Sequence, residues 1–279
     1  MTSTRDRQRA AARARLEREM ALRAEAARKR RRLQAIIGAG AAVLLILTGA
    51  IWVFSSLGAD DSQVAEPVAQ DGPVPCVWTE LAEGERSPQI KDVGLPPETA
   101  PASGSQTMTI DTNLGPITAK LDLSAVPCTA ASFTYLAEKQ FFNNTKCHRL
   151  VTEGLRVLQC GDPSATGDGY RETDGTGGPS YRLEEENLPV DKRPAYPEGV
   201  IAMANSGQTG STGSQFFIVY GDSELPPTYT VLGTITAGMD LVKQVGAAGH
   251  DDAFAESAGG GHPKKEVVIK SLTMSPVQG

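Results

Sequence analysis

Short runs of alternating apolar and polar residues dominate the chain from Gln106 onward, and such alternation is typical of half-buried β-strands. Thr107–Thr112 and Ile117–Leu123 both alternate, and Asn113-Leu114-Gly115-Pro116 supplies a turn between them, so the pair predicts a β-hairpin. Further short strands are predicted near 147–151, 156–160, 200–204, 215–220 and 230–236, with a closing strand over Val267–Met274.

Two stretches have helical periodicity instead. Pro127 begins a predicted helix that continues through Ala137 and places Phe133 and Leu136 on one face. Met239–Val245 predicts a second, shorter helix. Many short strands, glycine-rich connections and two helices predict a mainly β fold, a closed antiparallel barrel capped by helices, over residues 106–277.

An uncharged segment precedes this domain. No charged residue occurs from Leu33 to Ala59, and about 20 residues suffice to cross a hydrocarbon core of about 30 Å, so a single transmembrane helix is predicted over 35–58. A cleaved signal peptide is the alternative, but its apolar region normally has only about 7–15 residues. Ser55–Ala59 also matches a cleavage site poorly, which favours an uncleaved anchor.

The net charge of −6 conceals two parts of opposite sign. Residues 1–34 contain twelve basic and four acidic residues, which leaves 15 basic and 29 acidic residues for the remainder, or +8 against −14. Because positive residues stay on the cytoplasmic side of a span, the arm 1–34 is predicted to lie inside and everything after the span outside. A helical arm of this charge would bind the anionic lipid membrane. Nucleic-acid binding by the arm is the alternative. Because a basic run next to a membrane span is more often a topology signal, no nucleic-acid partner is expected.

Residues 59–105 contain seven prolines and few large apolar residues, which predicts an extended extracytoplasmic tether. Cys76-Val77-Trp78 is the exception, a small apolar patch that is expected to dock on the domain. All four cysteines follow the predicted span, where oxidation would allow three disulfide pairings that the sequence does not choose between. No pair has the C-x-x-C spacing of a zinc site, and neither a metal nor another cofactor is expected. The cysteines are Cys76, Cys128, Cys147 and Cys160.

The usual catalytic signatures are missing from the chain, which has no P-loop, no H-E-x-x-H motif and no G-x-S-x-G elbow. His250 and His262 lie in a glycine-rich stretch, and His148 lies in a predicted strand. A lone strand histidine is more often a hydrogen-bonded structural residue than a ligand or base. Nucleophilic and metal-dependent hydrolysis are therefore weakly supported.

What remains is a set of uncommon strings in a fixed order. They are Cys147-His148-Arg149, Gln159-Cys160-Gly161-Asp162, Gly175-Thr176-Gly177-Gly178, Met203-Ala204-Asn205-Ser206-Gly207 and Gly213-Ser214-Gln215-Phe216-Phe217. Their order and spacing closely resemble the cyclophilins, which are peptidyl-prolyl cis-trans isomerases. The resemblance covers roughly residues 106–277 and implies a closed eight-stranded antiparallel β-barrel with two helices. The anchored layout resembles the membrane-tethered cyclophilins of actinobacteria.

The resemblance also implies roles for individual residues. Arg149 matches the catalytic arginine, and Gln159 and Gln215 match the positions that orient it and bind the substrate backbone. Phe217 matches the floor of the proline pocket. Asn205, with the backbone around Ala204 and Ser206, matches the edge that aligns the peptide as an added strand. Alternation along a strand places only one of Phe216 and Phe217 in the core, which leaves the other for the pocket.

The chain departs from the family pattern around the pocket. Nine residues separate Arg149 from Gln159, two more than is usual, and Leu155 and Val157 stand in place of the usual Phe-Met wall. One extra residue lies between the predicted peptide edge and the second glutamine. Where eukaryotic members carry Trp-Leu and a histidine, the chain has Leu225 as the pocket leucine and Tyr229 in the histidine position, so weak cyclosporin affinity is expected.

Rotation about an X-Pro bond crosses a barrier of about 18–20 kcal/mol. Lowering that barrier requires a dry pocket for the proline ring and a cation that can hydrogen-bond the prolyl nitrogen, and Arg149 stays charged. The predicted function is therefore a membrane-anchored isomerase acting on Pro-containing polypeptides, unfolded or exported, outside the cytoplasmic membrane. A non-catalytic module that holds Pro-containing segments in the same groove is the alternative.

Overall fold

A computed structural model of the chain describes residues 72–221 and 223–279. The predicted basic arm 1–34 and the predicted transmembrane segment 35–58 lie outside the described residues. Within the part that is described, no helix is long and apolar enough to cross a membrane.

The predicted hairpin is confirmed and begins the main sheet. Strand β5, Ser105–Thr112, pairs residue for residue with β6, Gly115–Asp122, from Ser105 opposite Asp122 to Thr112 opposite Gly115. Every second residue of β5 is buried, as the sequence alternation requires. The turn is closed by the Thr112 hydroxyl, which donates to the Gly115 carbonyl at 2.6 Å.

Nine strands form one curled sheet in the order β7-β15-β5-β6-β14-β12-β13-β9-β8, with antiparallel pairing throughout. The remaining strands of this sheet are β7 (Thr145–Lys146), β8 (Arg149–Val151), β9 (Val157–Cys160), β12 (Val200–Met203), β13 (Phe216–Val219), β14 (Val231–Ala237) and β15 (Val268–Met274).

The expectation of a closed eight-stranded barrel is wrong in this respect, because the end strands β7 and β8 do not pair with each other. Loop residues satisfy their free edges instead. The Lys146 amide donates to the Ala165 carbonyl at 2.7 Å, and Leu150 exchanges two backbone hydrogen bonds with Gly261, at 2.8 and 3.0 Å. Covering sheet edges with loops removes the need for closure.

The two predicted helices are present as α1, Pro127–Glu138, and α2, Met239–Ala248. Helix α1 buries Phe133 and Leu136 against the sheet. Its first amide groups are capped from far along the chain, because the Glu186 carboxylate accepts hydrogen bonds from the amides of Cys128 and Thr129 at 3.1 and 2.8 Å. Helix α2 buries Val242 and Val245.

Buried side chains form two clusters, one on each face of strand β13. Phe216 is fully buried in the larger cluster, where its ring lies edge-on to Phe133 at 5.9 Å. Phe217 belongs to the smaller cluster, with Tyr196, Val157 and Ala202. The alternation prediction for the two phenylalanines is therefore confirmed, and it separates the core from a second apolar face.

Residues 72–104 are not the extended tether that was predicted for this part of the chain. They contain β1 (Val74–Pro75), β2 (Thr79–Glu80), β3 (Ile90–Lys91) and β4 (Thr99–Ala100). Strand β2 pairs with β11 (Tyr181–Arg182) and β3 with β10 (Gly178–Pro179), while β1 pairs with β4. The expected docking patch is confirmed, because Cys76 is buried and Trp78 packs against the core. The backbone pairing of the rest of the segment had no signal in its composition.

Both pairs of cysteines form disulfides, Cys76–Cys128 and Cys147–Cys160. The first links residues 72–104 to the start of α1. The second links the connection between β7 and β8 to the end of β9. Trp78 packs edge-on against Tyr181 at 5.6 Å beside the first bridge.

Removing the Cys76–Cys128 disulfide should lower the free energy of unfolding by about 2–4 kcal/mol, because the bridge closes a sequence separation of 52 residues and so restricts the unfolded chain. The test is urea denaturation of the Cys76→Ser/Cys128→Ser variant. Cys147→Ser/Cys160→Ser is the matched comparison, with a separation of 13 residues and a smaller entropic contribution. Equal stability of the wild type and the first variant would contradict the expectation.

Candidate functional site

Three predicted site residues lie side by side across adjacent strands. Arg149 on β8 is directly opposite Gln159 on β9, and Gln159 is directly opposite Phe217 on β13. Directly opposite residues project from the same face of a sheet. A cation, an amide and an aromatic ring therefore form one row on the face of the smaller apolar cluster.

The Arg149 guanidinium is held at all three of its nitrogens. Nε donates to the Gly259 carbonyl at 3.0 Å, Nη1 to the Gln159 Oε1 at 3.1 Å, and Nη2 to the Ala258 carbonyl. Partial burial lowers the pKa of Arg149, while interaction with Tyr229 raises it. No ion pair to this arginine occurs within residues 72–221 and 223–279, so its charge is oriented by neutral oxygens.

The two glutamines continue the network away from Arg149. Gln159 Nε2 donates to Gln215 Oε1 at 2.9 Å. Gln215 Nε2 in turn donates to the carbonyls of Gly175 and Gly177, at 2.8 and 2.9 Å. The glutamines therefore connect the arginine to a glycine-rich loop.

A buried carboxylate holds the opposite side of that loop. Asp162 is fully buried, and its Oδ2 accepts hydrogen bonds from the amides of Gly175 and Gly177 at 2.5 and 3.1 Å. A Cβ at position 177 would lie 2.1 Å from the Asp162 Oδ1, so only glycine fits there. The Gly161-Asp162 segment therefore fixes the backbone of the Gly175–Gly178 loop.

A cavity of about 490 Å³ opens beside Arg149, and its largely apolar lining also includes the acidic residues Glu172 and Asp174. Phe217 forms its aromatic part, with the Tyr229 ring perpendicular to it at 5.5 Å. Tyr196 fixes the Tyr229 backbone from behind, because its hydroxyl contacts both the amide and the carbonyl of Tyr229 at 2.8 Å. Leu155, Val157 and Leu225 complete the apolar lining.

One exposed backbone edge borders the cavity. The Ala204 amide is already bonded to the Gln215 carbonyl at 2.8 Å. The Asn205 side chain is held by the Thr228 carbonyl at 2.9 Å and the Gly207 amide at 3.0 Å. The main-chain N–H and C=O of Asn205 make no hydrogen bond within the part of the chain that the structure describes. That edge can therefore pair with an added strand.

The structure brings all eleven predicted site residues to two adjoining cavities. Nine line the larger one: Arg149, Leu155, Val157, Gln159, Ala204, Asn205, Phe217, Leu225 and Tyr229. Ser206 and Gln215 line a neighbouring cavity of about 330 Å³, which shares Gln159, Ala204 and Asn205 with the first.

Sequence reasoning missed the loop that supplies Phe254, Ser257 and Ala258 to the larger cavity. The loop closes on itself through Asp251, whose carboxylate accepts from the His262 amide at 2.7 Å and contacts the His262 Nδ1 at 2.8 Å. The two backbone carbonyls of this loop that bind Arg149 could not be predicted from residue types, since every residue has a backbone carbonyl. Only the glycine richness of 259–261 marked the stretch as unusual.

His148 lines the larger cavity but is 2 % exposed, and neither ring nitrogen has a hydrogen-bond partner among the residues that the structure describes. The expectation of a hydrogen-bonded structural histidine is therefore wrong as to the hydrogen bonds. Burial lowers its pKa to about 4, against the opposing influence of Asp162 and Asp174, so the ring is neutral at neutral pH.

Chemically, the site offers a fixed cation beside a cavity with a largely apolar lining and an unpaired backbone edge. It contains no serine or cysteine nucleophile paired with a base among the residues that line the larger cavity and contact Arg149. No cluster of three or more metal-binding side chains occurs in the described ranges. The geometry suits binding and polarising a peptide group better than covalent chemistry.

Comparison with known proteins identifies the family. The model described as cyclophilin type peptidyl-prolyl cis-trans isomerase/CLD matches residues 107–274. The chain belongs to the cyclophilin family. A cyclophilin type peptidyl-prolyl cis-trans isomerase of Cryptosporidium parvum has the same fold, with a TM-score of 0.50 and 25% identity over 62% of this chain and 99% of that one.

Among curated relatives, two mycobacterial proteins are similar to this cyclophilin. "Probable peptidyl-prolyl cis-trans isomerase B" of Mycobacterium leprae is 46% identical over 187 residues, which are 63% of this chain and 58% of the relative. The protein of that name from Mycobacterium tuberculosis is 42% identical over 201 residues, 66% of this chain and 60% of the relative. The matched part thus spans somewhat under two thirds of each relative.

We expect the buried, neutral His148 to make the protein less stable in acid. Because its native pKa of about 4 lies below its ordinary value of 6.5, the unfolded chain binds a proton between these values that the native state does not. The free energy of unfolding should fall as pH drops through this window, by at most about 1.4 kcal/mol per pH unit from this group.

Urea denaturation at about pH 7 and about pH 5 measures this loss, and His148→Gln removes the titrating ring. The variant should lose less stability between the two pH values than the wild type. Parallel losses in the two proteins would show that His148 does not cause the acid sensitivity.

Proposed function

We propose that this cyclophilin is a peptidyl-prolyl cis-trans isomerase and that Arg149 stabilises the twisted transition state. One observation carries the proposal: a guanidinium held at three nitrogens lies beside an apolar cavity of about 490 Å³ whose lining includes Phe217. The family membership and the mycobacterial relatives support the reaction type.

The mechanism requires no proton transfer. Twisting the X-Pro bond breaks amide conjugation, and the prolyl nitrogen then becomes pyramidal and able to accept a hydrogen bond. A guanidinium has five N–H donors, of which three are engaged here, so one hydrogen on each terminal nitrogen remains for the substrate. A donor to the twisted nitrogen strengthens as conjugation is lost, which stabilises the transition state more than the ground state.

The neighbouring groups would position the peptide. Phe217, Leu155 and Leu225 offer an apolar surface to the proline ring. The unpaired backbone of Asn205 offers main-chain hydrogen bonds to an extended peptide, in the manner of strand addition. Fixed carbonyl acceptors around Arg149 keep the cation in place, so little reorganisation is needed during the twist.

Substitution of Arg149 tests the mechanism. Arg149→Ala in the full chain should lower kcat/KM for a Pro-containing peptide by about 10²-fold, since one charged transition-state donor is lost. Arg149→Lys should recover only part of the activity, because an ammonium lacks the guanidinium fork. Lys270→Ala, an exposed residue on β15, removes the same charge as a control and should keep wild-type activity.

The rate of cis-trans exchange in the peptide is measured by NMR exchange spectroscopy, and the affinity for the peptide is measured by calorimetry. If the wild type and Arg149→Ala bind the peptide equally and neither accelerates isomerisation, the chain is a non-catalytic peptide-binding module. If both accelerate it equally, Arg149 is not the catalytic group.

The proposed location is outside the cytoplasmic membrane, with the chain anchored by 35–58 and its N-terminus inside. The uncharged segment and the basic residues before it support this orientation. Two disulfides that use every cysteine are typical of an oxidising compartment and also support it. The substrates would be unfolded or exported Pro-containing proteins, and the basic arm would contact anionic lipid.

Protease added to intact cells tests the topology. We expect loss of the domain 106–277 and protection of the arm 1–34, detected with tags at the two termini. The matched control is the same treatment after membrane permeabilisation, which should remove both tags. Protection of the domain in intact cells would refute the proposed orientation.

A further inference from the structure

The smaller of the two cavities has one ionisable side chain in its lining, Arg182 on β11. Glycines, serines, a threonine, an alanine, Asn205 and two glutamines provide the rest of the lining. The cavity shares Gln159, Gly175, Thr176, Ala204 and Asn205 with the proposed proline cavity. A peptide lying along the Asn205 edge would therefore pass both.

The Arg182 guanidinium is held in place at one nitrogen only. Nη1 donates to the carbonyls of Pro179 and Tyr181, at 2.8 and 2.9 Å. Nε and Nη2 make no hydrogen bond within residues 72–221 and 223–279, and neither is sealed from solvent. Gly213 leaves room for the group, because a Cβ there would lie 3.3 Å from Nη1, which is tighter than an ordinary contact.

In the described ranges, no acidic side chain lies within 4.0 Å of the Arg182 nitrogens. Glu185, close in sequence, is engaged elsewhere, by the Gly210 amide at 3.0 Å and the Thr212 hydroxyl at 3.2 Å. The Glu184 carboxylate likewise lies beside Gly210. Partial burial alone lowers the pKa of Arg182, which is consistent with a cation lacking a partner.

The attachment of residues 72–104 places this arginine rigidly. Arg182 lies directly opposite Thr79 in the β2–β11 pair, and β10, just before it, pairs with β3. Tyr181 next to it is fully buried, and its hydroxyl is 2.8 Å from the Ser132 hydroxyl. The cation is therefore held on paired backbone rather than on a free loop.

We propose that Arg182 makes the smaller cavity a subsite for a carboxylate side chain of the substrate, two residues from the isomerised proline. The inference rests on the proposed isomerase function and specifies its substrate class. Side chains two residues apart in an extended peptide project on the same side, so one can occupy each adjoining cavity. A carboxylate there would pair with the free Nε and Nη2 in the bidentate geometry that guanidinium groups favour.

Matched peptides test the subsite. One pair carries Glu or Gln two positions before the proline, and a second pair carries them two positions after it. For the wild-type full chain, the Glu peptide of one pair should have a kcat/KM about fivefold to tenfold above its Gln partner, as expected for one charge-assisted contact. Raising the salt from about 0.05 M to about 0.5 M should reduce that ratio.

Arg182→Gln should bring the Glu/Gln ratio to about one, and Arg182→Lys should retain part of it. Lys192→Gln removes the same charge from an exposed position that lines neither cavity, and it should keep the wild-type ratio. Because the readout is a ratio within one protein, a general loss of activity in a variant does not affect it. Thermal unfolding verifies that each variant is folded.

A ratio of one in both wild-type pairs, or an unchanged ratio in Arg182→Gln, would overturn the subsite. Turnover of the Gln peptides by the wild type tests the isomerase function separately. If no peptide is isomerised, the same Glu/Gln ratio is measured in dissociation constants, where equal binding or no binding overturns the subsite.

Discussion

The pairing of three strands carries the site on which the proposed chemistry depends. Strands β8, β9 and β13 are aligned so that Arg149, Gln159 and Phe217 are direct neighbours on one face. A slip of one residue would turn Phe217 toward the core and Phe216 toward the cavity. The register is protected because Phe216 is fully buried among Phe133 and Phe142, and a shifted strand would also turn the polar Gln215 side chain toward this apolar core. Core packing thus fixes the position of the functional row.

The polar side chains of that row are held by hydrogen bonds to backbone groups rather than by ion pairs. Carbonyls of Gly259 and Ala258 hold Arg149, and the glutamines pass the constraint to the carbonyls of the glycine loop. Asp162 completes the support through amide groups. Neutral partners leave the positive charge of the arginine available to a substrate, whereas a carboxylate partner would have compensated it.

The segment 72–104 belongs structurally to the domain that it precedes. Two of its strands pair with β10 and β11, and a disulfide links it to α1. It also braces the backbone that carries Arg182, the cation of the smaller cavity. A segment expected to act as a spacer therefore contributes to the surface where substrate specificity is proposed to arise.

Periodicity and residue type were sufficient for the local structure. The hairpin, the two helices and the separation of Phe216 from Phe217 could be inferred because each depends on side chains close in sequence, whereas Arg149, Gln159 and Gln215 were singled out by the resemblance to the cyclophilins. Tertiary structure alone decided the disulfide pairing, the unpaired ends of the sheet, the strand pairing of 72–104, the unpartnered burial of His148 and the loop carbonyls that hold Arg149. These features depend on backbone groups or on contacts between distant residues. Backbone groups are the same in nearly every residue, so no pattern of side chains predicts which of them will form hydrogen bonds with each other.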